Sequence, residues 1–232
     1  GAYELGICGL DCVREAGSPV DILCELPFGR GESSGRARVV IVASQDDSVQ
    51  SMGDIKPGSV VLSEYPNITK RAFKKLGVSV KVRFSYGGTE AHISRDYQYG
   101  VCLTDTGKSL EANNLKILDI LLETKTIFIA NQNARKKYSH EITAIKHLLL
   151  GTLAARERVF LIMNVQAGSK KELLKQLPAL KTPTVTPLAD GTYFSIGAVV
   201  LKEELNTLIP TLLMNGAEDL DEMPISKVIR SW

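Results

Sequence analysis

The sequence lacks the features that mark several large classes of protein. Its net charge is only +2, which is too small to predict nucleic-acid binding on electrostatic grounds. No apolar run reaches the ~18 residues of a membrane-spanning helix, and no charged start is followed by the apolar segment of a signal peptide. Its 232 residues, 44% hydrophobic and 23% charged, predict an ordinary soluble globular protein with room for two or three small domains.

Cysteine and histidine are also scarce, with four and three residues respectively. Cys8 and Cys12 have no Cys or His partner nearby at the spacing of a zinc site. His92, His140 and His147 are scattered along the chain. We therefore predict no metal-ligand set, and we expect reduced thiols and a cytoplasmic location.

The segment Leu103–Leu115 is the most informative part of the chain; it reads Leu-Thr-Asp-Thr-Gly-Lys-Ser-Leu-Glu-Ala-Asn-Asn-Leu. The residues before it, Gly100–Leu103, are typical of a strand, and Leu110–Leu122 has the pattern of a helix. A strand, a glycine turn and a helix N-terminus together bring backbone N–H groups and the positive end of the helix to one point. That arrangement suits a phosphate group.

Polar side chains of this loop fit the same interpretation. Thr106 and Ser109 add hydroxyl donors, and Asp105 adds a carboxylate that could hold a sugar hydroxyl or a Mg²⁺-bound water. The same pattern is also that of an ordinary strand-to-helix turn in which Ser and Thr act as caps.

A nucleoside triphosphatase built on Gly107-Lys108-Ser109 is a weaker alternative. The P-loop pattern requires a glycine five positions before its Gly-Lys-Ser sequence. Here that position is Cys102, so the pattern fails by one residue.

Strand-like and helix-like segments alternate through the first part of the chain, which predicts parallel sheets with covering helices. A single amphipathic helix is predicted over Asn133–Arg156. From Val159 onward the order becomes strand, helix, strand, strand, helix, strand within about 75 residues, the pattern of a ferredoxin-like domain.

Five stretches, in order, resemble one known family. Gly1–Asp11 is similar to that family's segment GAADLGITGYD, and Tyr65–Thr69 is similar to its helix start YPNLT. Gly88–Glu90 stands where the family has Gly-Ser-x-Glu. Leu103–Leu115 resembles the phosphoribosyl diphosphate loop LVETGTTLRANGL, and Pro183–Asp190 resembles the C-terminal signature SPTVSPLAD. The family is the long form of ATP phosphoribosyltransferase.

This resemblance implies an α/β fold with two lobes like those of a periplasmic binding protein, followed by a ferredoxin-like regulatory domain. We expect residues 1–37 and 131–150 to form the first catalytic lobe, and residues 38–130 to form the second lobe with the phosphoribosyl diphosphate loop. Residues 151–232 would then be the histidine-binding domain.

The resemblance also implies an activity. The family transfers a phosphoribosyl group from phosphoribosyl diphosphate to N1 of ATP and releases pyrophosphate, in the first step of histidine biosynthesis. We expect Mg²⁺ as cofactor, histidine as feedback inhibitor, and a homo-oligomer (a dimer or a hexamer).

The family's site residues map onto matching positions of this sequence. Glu90 and Asp105 are the catalytic candidates, with Glu90 facing the ribose or the metal. Glu4 and Asp11 would lie near the mouth of the first lobe. The remaining candidates would hold the 5′-phosphate through the loop; with Asp105 they are Thr106, Gly107, Lys108, Ser109 and Leu110.

The resemblance places the histidine contacts in the C-terminal domain, at Asn164, Leu180, Thr184, Val199 and Asp219. Thr184 and its neighbouring backbone suit a carboxylate, and Asn164 could bind an imidazole N–H. Asp219 would lie near the α-amino group. The proline-flanked stretch around Thr184 is also consistent with a rigid edge strand.

Several departures from the family pattern support an alternative. The family begins about 60 residues earlier, with a first strand and a basic KGRL loop, so we expect weak or absent catalysis from a chain that starts at Gly1. Cys102 replaces a family Asp, Gly31–Gly35 looks inserted, and one residue seems missing between Glu90 and Gly107. A non-catalytic, histidine-binding regulatory homologue is therefore the competing hypothesis.

Overall fold

A computed structural model describes residues 2–28, 36–178, 182–189 and 191–229 of the chain. The chain divides into two compact units, Gly1–Lys146 and His147–Trp232, which are described in turn. No helix within these described ranges is long and apolar enough to cross a membrane. All four cysteines are free thiols.

The first unit is built on a seven-stranded sheet. Its strands are β1 (Leu5–Gly9), β2 (Val20–Glu25), β3 (Arg36–Ser44), β4 (Val60–Ser63), β5 (Lys81–Phe84), β6 (Tyr99–Thr104) and β7 (Leu115–Asn131). The order is β1-β7-β3-β6-β4-β5, with β2 also paired to β7. The 17-residue strand β7 connects two parts of this sheet, because its first part pairs with β3 and its last part pairs with β1 and β2.

The described residues of the first unit form four α-helices: α1 (Leu10–Ala16), α2 (Pro66–Leu76), α3 (Lys108–Ala112) and α4 (Gln132–Lys137). A fifth, α5 (Ser139–Arg156), begins in the first unit and ends in the second. Helix α2 begins inside Tyr65–Thr69, the stretch that resembles the family's helix start. It starts with a proline in its first turn, where a missing N–H costs nothing, and it ends at Gly77 in the left-handed conformation (φ 72°).

Strand β3 lies at the centre of the first unit. Val39, Val40, Ile41 and Val42 are all completely buried, so both faces of this strand are covered. Val39 and Ile41 pack in one apolar cluster with Phe73 of α2, whereas Val40 and Val42 pack in a second cluster that includes Cys102, Leu110 and Leu115. The loop that follows β6 is thereby anchored to the core through Leu110.

The predicted helix over Leu110–Leu122 is wrong beyond Ala112. Helix α3 has only five residues, and β7 begins at Leu115. Two consecutive asparagines end the helix, and Asn114 adopts the left-handed conformation (φ 54°), which asparagine tolerates better than most residues. Pairing with β3 then decides the conformation of the residues that follow.

The parallel-sheet prediction is also only partly right. Strand β4 is parallel to β5 and β6, but β3 is antiparallel to β6 and β7, and β7 is antiparallel to β1 and β2. Strands β2 and β3 pair with successive parts of β7, and both are antiparallel to it. Strand β3 therefore has the same direction as β2. The predicted helix 133–156 is interrupted at Tyr138 (φ −119°, ψ 36°), which separates α4 from α5.

The second unit has the ferredoxin-like order that its sequence predicts. Its elements are β8 (Arg158–Gln166), α6 (Lys170–Gln176), β9 (Thr184–Pro187), β10 (Tyr193–Leu201), α7 (Leu205–Met214) and β11 (Ala217–Pro224). The four strands form an antiparallel sheet in the order β11-β8-β10-β9. Alternate residues of β8 and β10, including Leu161, Met163 and Ile196, pack against Leu173 and Leu212 of the helices.

Candidate functional site

The predicted catalytic residues lie at one edge of the sheet in the first unit. Strands β4, β5 and β6 run in the same direction, so their carboxyl ends meet at this edge, where α/β proteins commonly bind ligands. The loop 105–110 follows β6, and Glu64 follows β4. A short 3-10 helix, Thr89–His92, follows β5 and carries Glu90.

The loop exposes most of its polar side chains. Thr106, Lys108 and Ser109 are exposed, whereas Leu110 is only 2% exposed and holds the loop to the core. Gly107 adopts the left-handed conformation (φ 86°), which favours glycine because it has no Cβ. The tip of the loop is therefore open to a ligand.

Not every backbone N–H of this loop is available to an anion. The carbonyl of Gly107 accepts hydrogen bonds from the N–H groups of Leu110 (2.9 Å) and Glu111 (3.0 Å). Helix α3 is also much shorter than the predicted helix, so its dipole contributes less at the N-terminus. The side chains of Thr106, Lys108 and Ser109 consequently carry more of any phosphate binding than the sequence pattern suggests.

The structure brings Glu90 and the loop together. The hydroxyl of Ser109 donates a hydrogen bond to Oε1 of Glu90, with 3.2 Å between the oxygens. Asp105 is half-buried at the start of the loop. A hydroxyl donor and a carboxylate, from residues far apart in sequence, thus meet at the carboxyl edge of the sheet.

Cys102 lies inside the molecule. Its side chain is fully buried in the cluster beneath the loop. Burial, followed by the charges of Glu90 and Glu64, raises the pKa of its thiol. The position at which the resemblance leads us to expect an Asp is therefore occupied by a neutral core thiol with two carboxylates near it.

Glu64 is a residue of this edge that the sequence analysis missed. Its Oε1 accepts hydrogen bonds from the hydroxyl (2.9 Å) and the N–H (3.4 Å) of Thr89, the residue before Glu90. One sequence signal was present, because Glu64 directly precedes the Tyr65–Thr69 motif.

The two candidates of the first lobe lie at opposite ends of β1. Asp11 is 5% exposed, and the hydroxyl of Thr124 donates to its Oδ1 at 2.6 Å. Burial, followed by the charge of Asp11 and a hydrogen bond to it, raises the pKa of Tyr65. Glu4 is exposed and lines a separate cavity of about 510 Å³ with Asn131 and other polar residues. The structure does not bring Glu4 and Asp11 together.

In the second unit, three predicted histidine contacts share one face of the sheet. The register pairs Asn164 with Ser195, and Thr184 with Gly197. Val199 is two residues further along β10, so all three lie on the face opposite the apolar core. The predicted contact at position 180 lies outside the described residues.

Asp219 reaches this region through an irregularity in β11. The register of β11 against β8 shifts between Glu218 and Asp221, and Asp219 adopts a left-handed conformation (φ 48°) within the bulge. Its Oδ2 accepts a hydrogen bond from Nδ2 of Asn164 at 3.2 Å. The bulge thus directs a carboxylate toward the amide of the neighbouring strand.

Comparison with known proteins decides the family. The family model described as ATP phosphoribosyltransferase matches residues 1–151, and the model described as HisG, C-terminal domain, matches residues 155–227. The ATP phosphoribosyltransferase of Koribacter versatilis is 35% identical over 235 residues, which cover 99% of this chain and 79% of that protein. The one from Desulfosudis oleivorans is 34% identical over 232 residues, with the same coverage of each. The chain belongs to the ATP phosphoribosyltransferase family.

Membership confirms the resemblance drawn from the five sequence stretches, and it places the chain among phosphoribosyl-transferring enzymes of the first step of histidine biosynthesis. A solved ATP phosphoribosyl transferase (HisG:HisZ) complex from Thermotoga maritima aligns with a TM-score of 0.57 and 20% identity. The alignment covers 65% of this chain and 70% of that chain. At this identity the likeness shows the fold, and it confirms the predicted α/β class.

Proposed function

We propose that the protein binds phosphoribosyl diphosphate at the carboxyl edge of its first unit and transfers the phosphoribosyl group to N1 of ATP. The contact between Ser109 and Glu90 is the observation that carries this proposal. It joins an exposed loop with hydroxyl donors to a carboxylate. An activated sugar phosphate needs both kinds of group, because donors bind its phosphate and a carboxylate can contact its ribose.

The reaction explains why both groups are needed. Departure of pyrophosphate leaves positive charge on the ribose and collects negative charge on the leaving group. Pre-positioned donors stabilise the anion, and a carboxylate near the ribose stabilises the cation. We assign the second role to Glu90 and Asp105. Thr106, Lys108 and Ser109 would hold the 5′-phosphate and so position the ribose for that contact.

Ser109 links these two roles. A serine hydroxyl has one proton to donate, and here that proton is directed at Glu90. A bound 5′-phosphate would compete for the same proton. We infer that phosphate binding releases the Glu90 carboxylate toward the ribose.

Mg²⁺ fits this edge as a companion of the substrate. Among the described residues there is no group of three or more His, Cys, Asp or Glu side chains that could hold a metal ion. Mg²⁺ is, however, commonly held by one or two carboxylates together with substrate phosphates. Glu90 and Asp105 supply such carboxylates, and the bound ion would neutralise the departing diphosphate.

Binding of Mg²⁺-phosphoribosyl diphosphate, measured by calorimetry, tests the site. We expect Glu90→Gln and Ser109→Ala each to weaken binding by about tenfold, because each removes a charged or donating group at the ligand. Ser79→Ala is the matched control, since Ser79 is also exposed but precedes β5 at its other end. Normal binding by both site variants would overturn the assignment.

We further propose that the second unit binds histidine at the sheet face that carries Asn164, Thr184 and Val199. The hydrogen bond between Asn164 and Asp219 supports this, because it places a carboxylate beside an amide on that face. Asp219→Asn tests this histidine site. Asparagine tolerates the left-handed backbone at this position, so the substitution removes only the negative charge of the carboxylate. We expect histidine affinity to fall by about tenfold. Glu222→Gln, at an exposed position on the same strand, is the control and should bind histidine with normal affinity.

The competing hypothesis is a regulatory homologue without catalysis, which the buried thiol of Cys102 at a family carboxylate position favours. Calorimetry separates the two proposals. Histidine binding without phosphoribosyl diphosphate binding would support the regulatory homologue, whereas binding of both ligands supports the transferase. The predicted lobe boundaries, the homo-oligomer and the cytoplasmic location stay predictions.

A further inference from the structure

The turn that carries Glu90 is held in place on two sides. On one side it contacts the carboxylate of Glu64, to which the proposed function assigns no role. We propose that Glu64 is a positioning residue for the phosphoribosyl site, which holds the Glu90 turn against the loop through Thr89. This inference rests on the proposed function of that edge.

The first support is the contact between Glu64 and Thr89. Glu64 is fixed to the sheet, because its own N–H donates to the carbonyl of Val101 on β6 at 3.1 Å. Its Oε1 accepts both the hydroxyl and the N–H of Thr89, at 2.9 Å and 3.4 Å. Hydrogen bonds to a carboxylate are stronger than those between neutral groups. The carboxylate therefore ties the start of the turn to the end of β4.

The second support lies on the other side of the turn, where it packs directly on β6. A Cβ added at Gly100 would lie 2.7 Å from Cδ1 of Ile93 and 2.9 Å from Cγ2 of Thr89. Thr89 is fully buried and Ile93 is 3% exposed. The turn has no room to move toward the sheet.

These restraints act on the neighbouring residue. Glu90 follows Thr89 directly, and its Oε1 lies 3.2 Å from the hydroxyl of Ser109. A shift of about 1 Å in such a group is enough to cost much of a catalytic interaction. The side chain of Glu64 contacts Thr89, so we assign it the positioning of Glu90 and no direct part in the reaction.

The first experiment measures affinity for Mg²⁺-phosphoribosyl diphosphate in Thr89→Val and Thr89→Ser. Valine keeps the shape but loses the hydroxyl, so we expect binding about tenfold weaker. Serine keeps the hydroxyl and should bind within about twofold of the wild type. Thr126→Val is the control, because Thr126 is partly buried and its hydroxyl donates to the carbonyl of Phe28 at 2.9 Å, a contact that involves neither Glu64 nor the Glu90 turn. It should lower stability and leave affinity unchanged.

Glu64 provides an independent pair of variants at a half-buried position. Glu64→Ala removes the acceptor and should match the loss in Thr89→Val, whereas Glu64→Gln keeps an acceptor oxygen and should recover most of the affinity. Unchanged affinity in both Glu64→Ala and Thr89→Val would overturn the proposal.

A double-mutant cycle distinguishes positioning from general destabilisation. If Glu64 and Thr89 act through Glu90, then Thr89→Val should cause little further loss in the Glu90→Gln background. Fully additive losses would contradict the positioning role. Normal affinity in both Glu90→Gln and Ser109→Ala would instead remove the proposed function itself, so the two failures are distinguishable.

Discussion

In the first unit the candidate site is assembled from segments that follow strand ends, whereas in the second unit the candidate residues lie along the face of a sheet. Glu64 contacts Thr89, and Glu90 contacts Ser109, only because separate strands end at one edge. Asn164, Thr184 and Val199 share a face because the strand register requires it. Contacts of the first kind depend on how turns pack, so we expect them to be more sensitive to small changes in the core.

We expect the largest loss of stability from a methyl group added at Gly100, beneath the candidate site of the first unit. Gly100→Ala places its Cβ against buried atoms of Ile93 and Thr89. We expect a loss of about 1–3 kcal/mol in the free energy of unfolding, with weaker phosphoribosyl diphosphate binding. Gly53→Ala is the control, because its Cβ would meet nothing closer than 3.6 Å. Urea unfolding and calorimetry measure both effects.

The loop 105–110 should be sensitive to a substitution that strains its backbone at Gly107. Gly107 is left-handed (φ 86°) with open space where a Cβ would lie, so Gly107→Ala introduces strain without a clash. We expect about 1–2 kcal/mol of destabilisation and reduced phosphoribosyl diphosphate affinity, with histidine binding unaffected. Gly168→Ala in the second unit has the same open space without a positive φ, and it should be neutral. Equal losses in the two variants would contradict this explanation.

Ionisation of cysteine thiols should change the stability of the first unit only, because all four cysteines precede residue 103. The raised pKa keeps the Cys102 thiol protonated in the folded protein, whereas the unfolded thiol ionises near the ordinary cysteine pKa of 9.0. The folded state then binds the extra proton, so stability falls as the pH rises above that value, by at most about 1.4 kcal/mol per pH unit. Cys102→Ala should lose less stability between pH 8 and 10 in urea unfolding. A parallel decline in both proteins would count against this assignment.

The smallest effect should come from the sheet face of the second unit. A Cβ at Gly197 would lie 2.6 Å from Cζ of Phe160, but that atom is the free end of a ring on the half-buried face. The ring can turn aside, so we expect Gly197→Ala to cost less than about 1 kcal/mol, well below the loss at Gly100. Thermal unfolding of the two variants compares them directly. A larger loss at Gly197 would reverse the proposed difference between the units.

Local patterns in the sequence account for the elements that local interactions stabilise. Helix α2 was predictable because a proline stands in its first turn and Gly77 can take the left-handed conformation that ends it. The second unit was predictable because its apolar residues alternate along β8 and β10 and recur with helical spacing between them. The loop after β6 was found for the same reason, since glycine and hydroxyl residues follow an apolar strand.

Tertiary structure alone determined which strands pair and which distant side chains come into contact. Residues 115–122 have a pattern that also fits a helix, and pairing with β3 made them a strand. The contacts of Thr89 with Glu64 and of Asn164 with Asp219 join residues 25 and 55 positions apart, and one of them needs a bulge in β11. A sequence specifies which backbone conformations are favourable over a few residues. Which distant side chains then meet depends on strand order and register, which only the packed molecule determines.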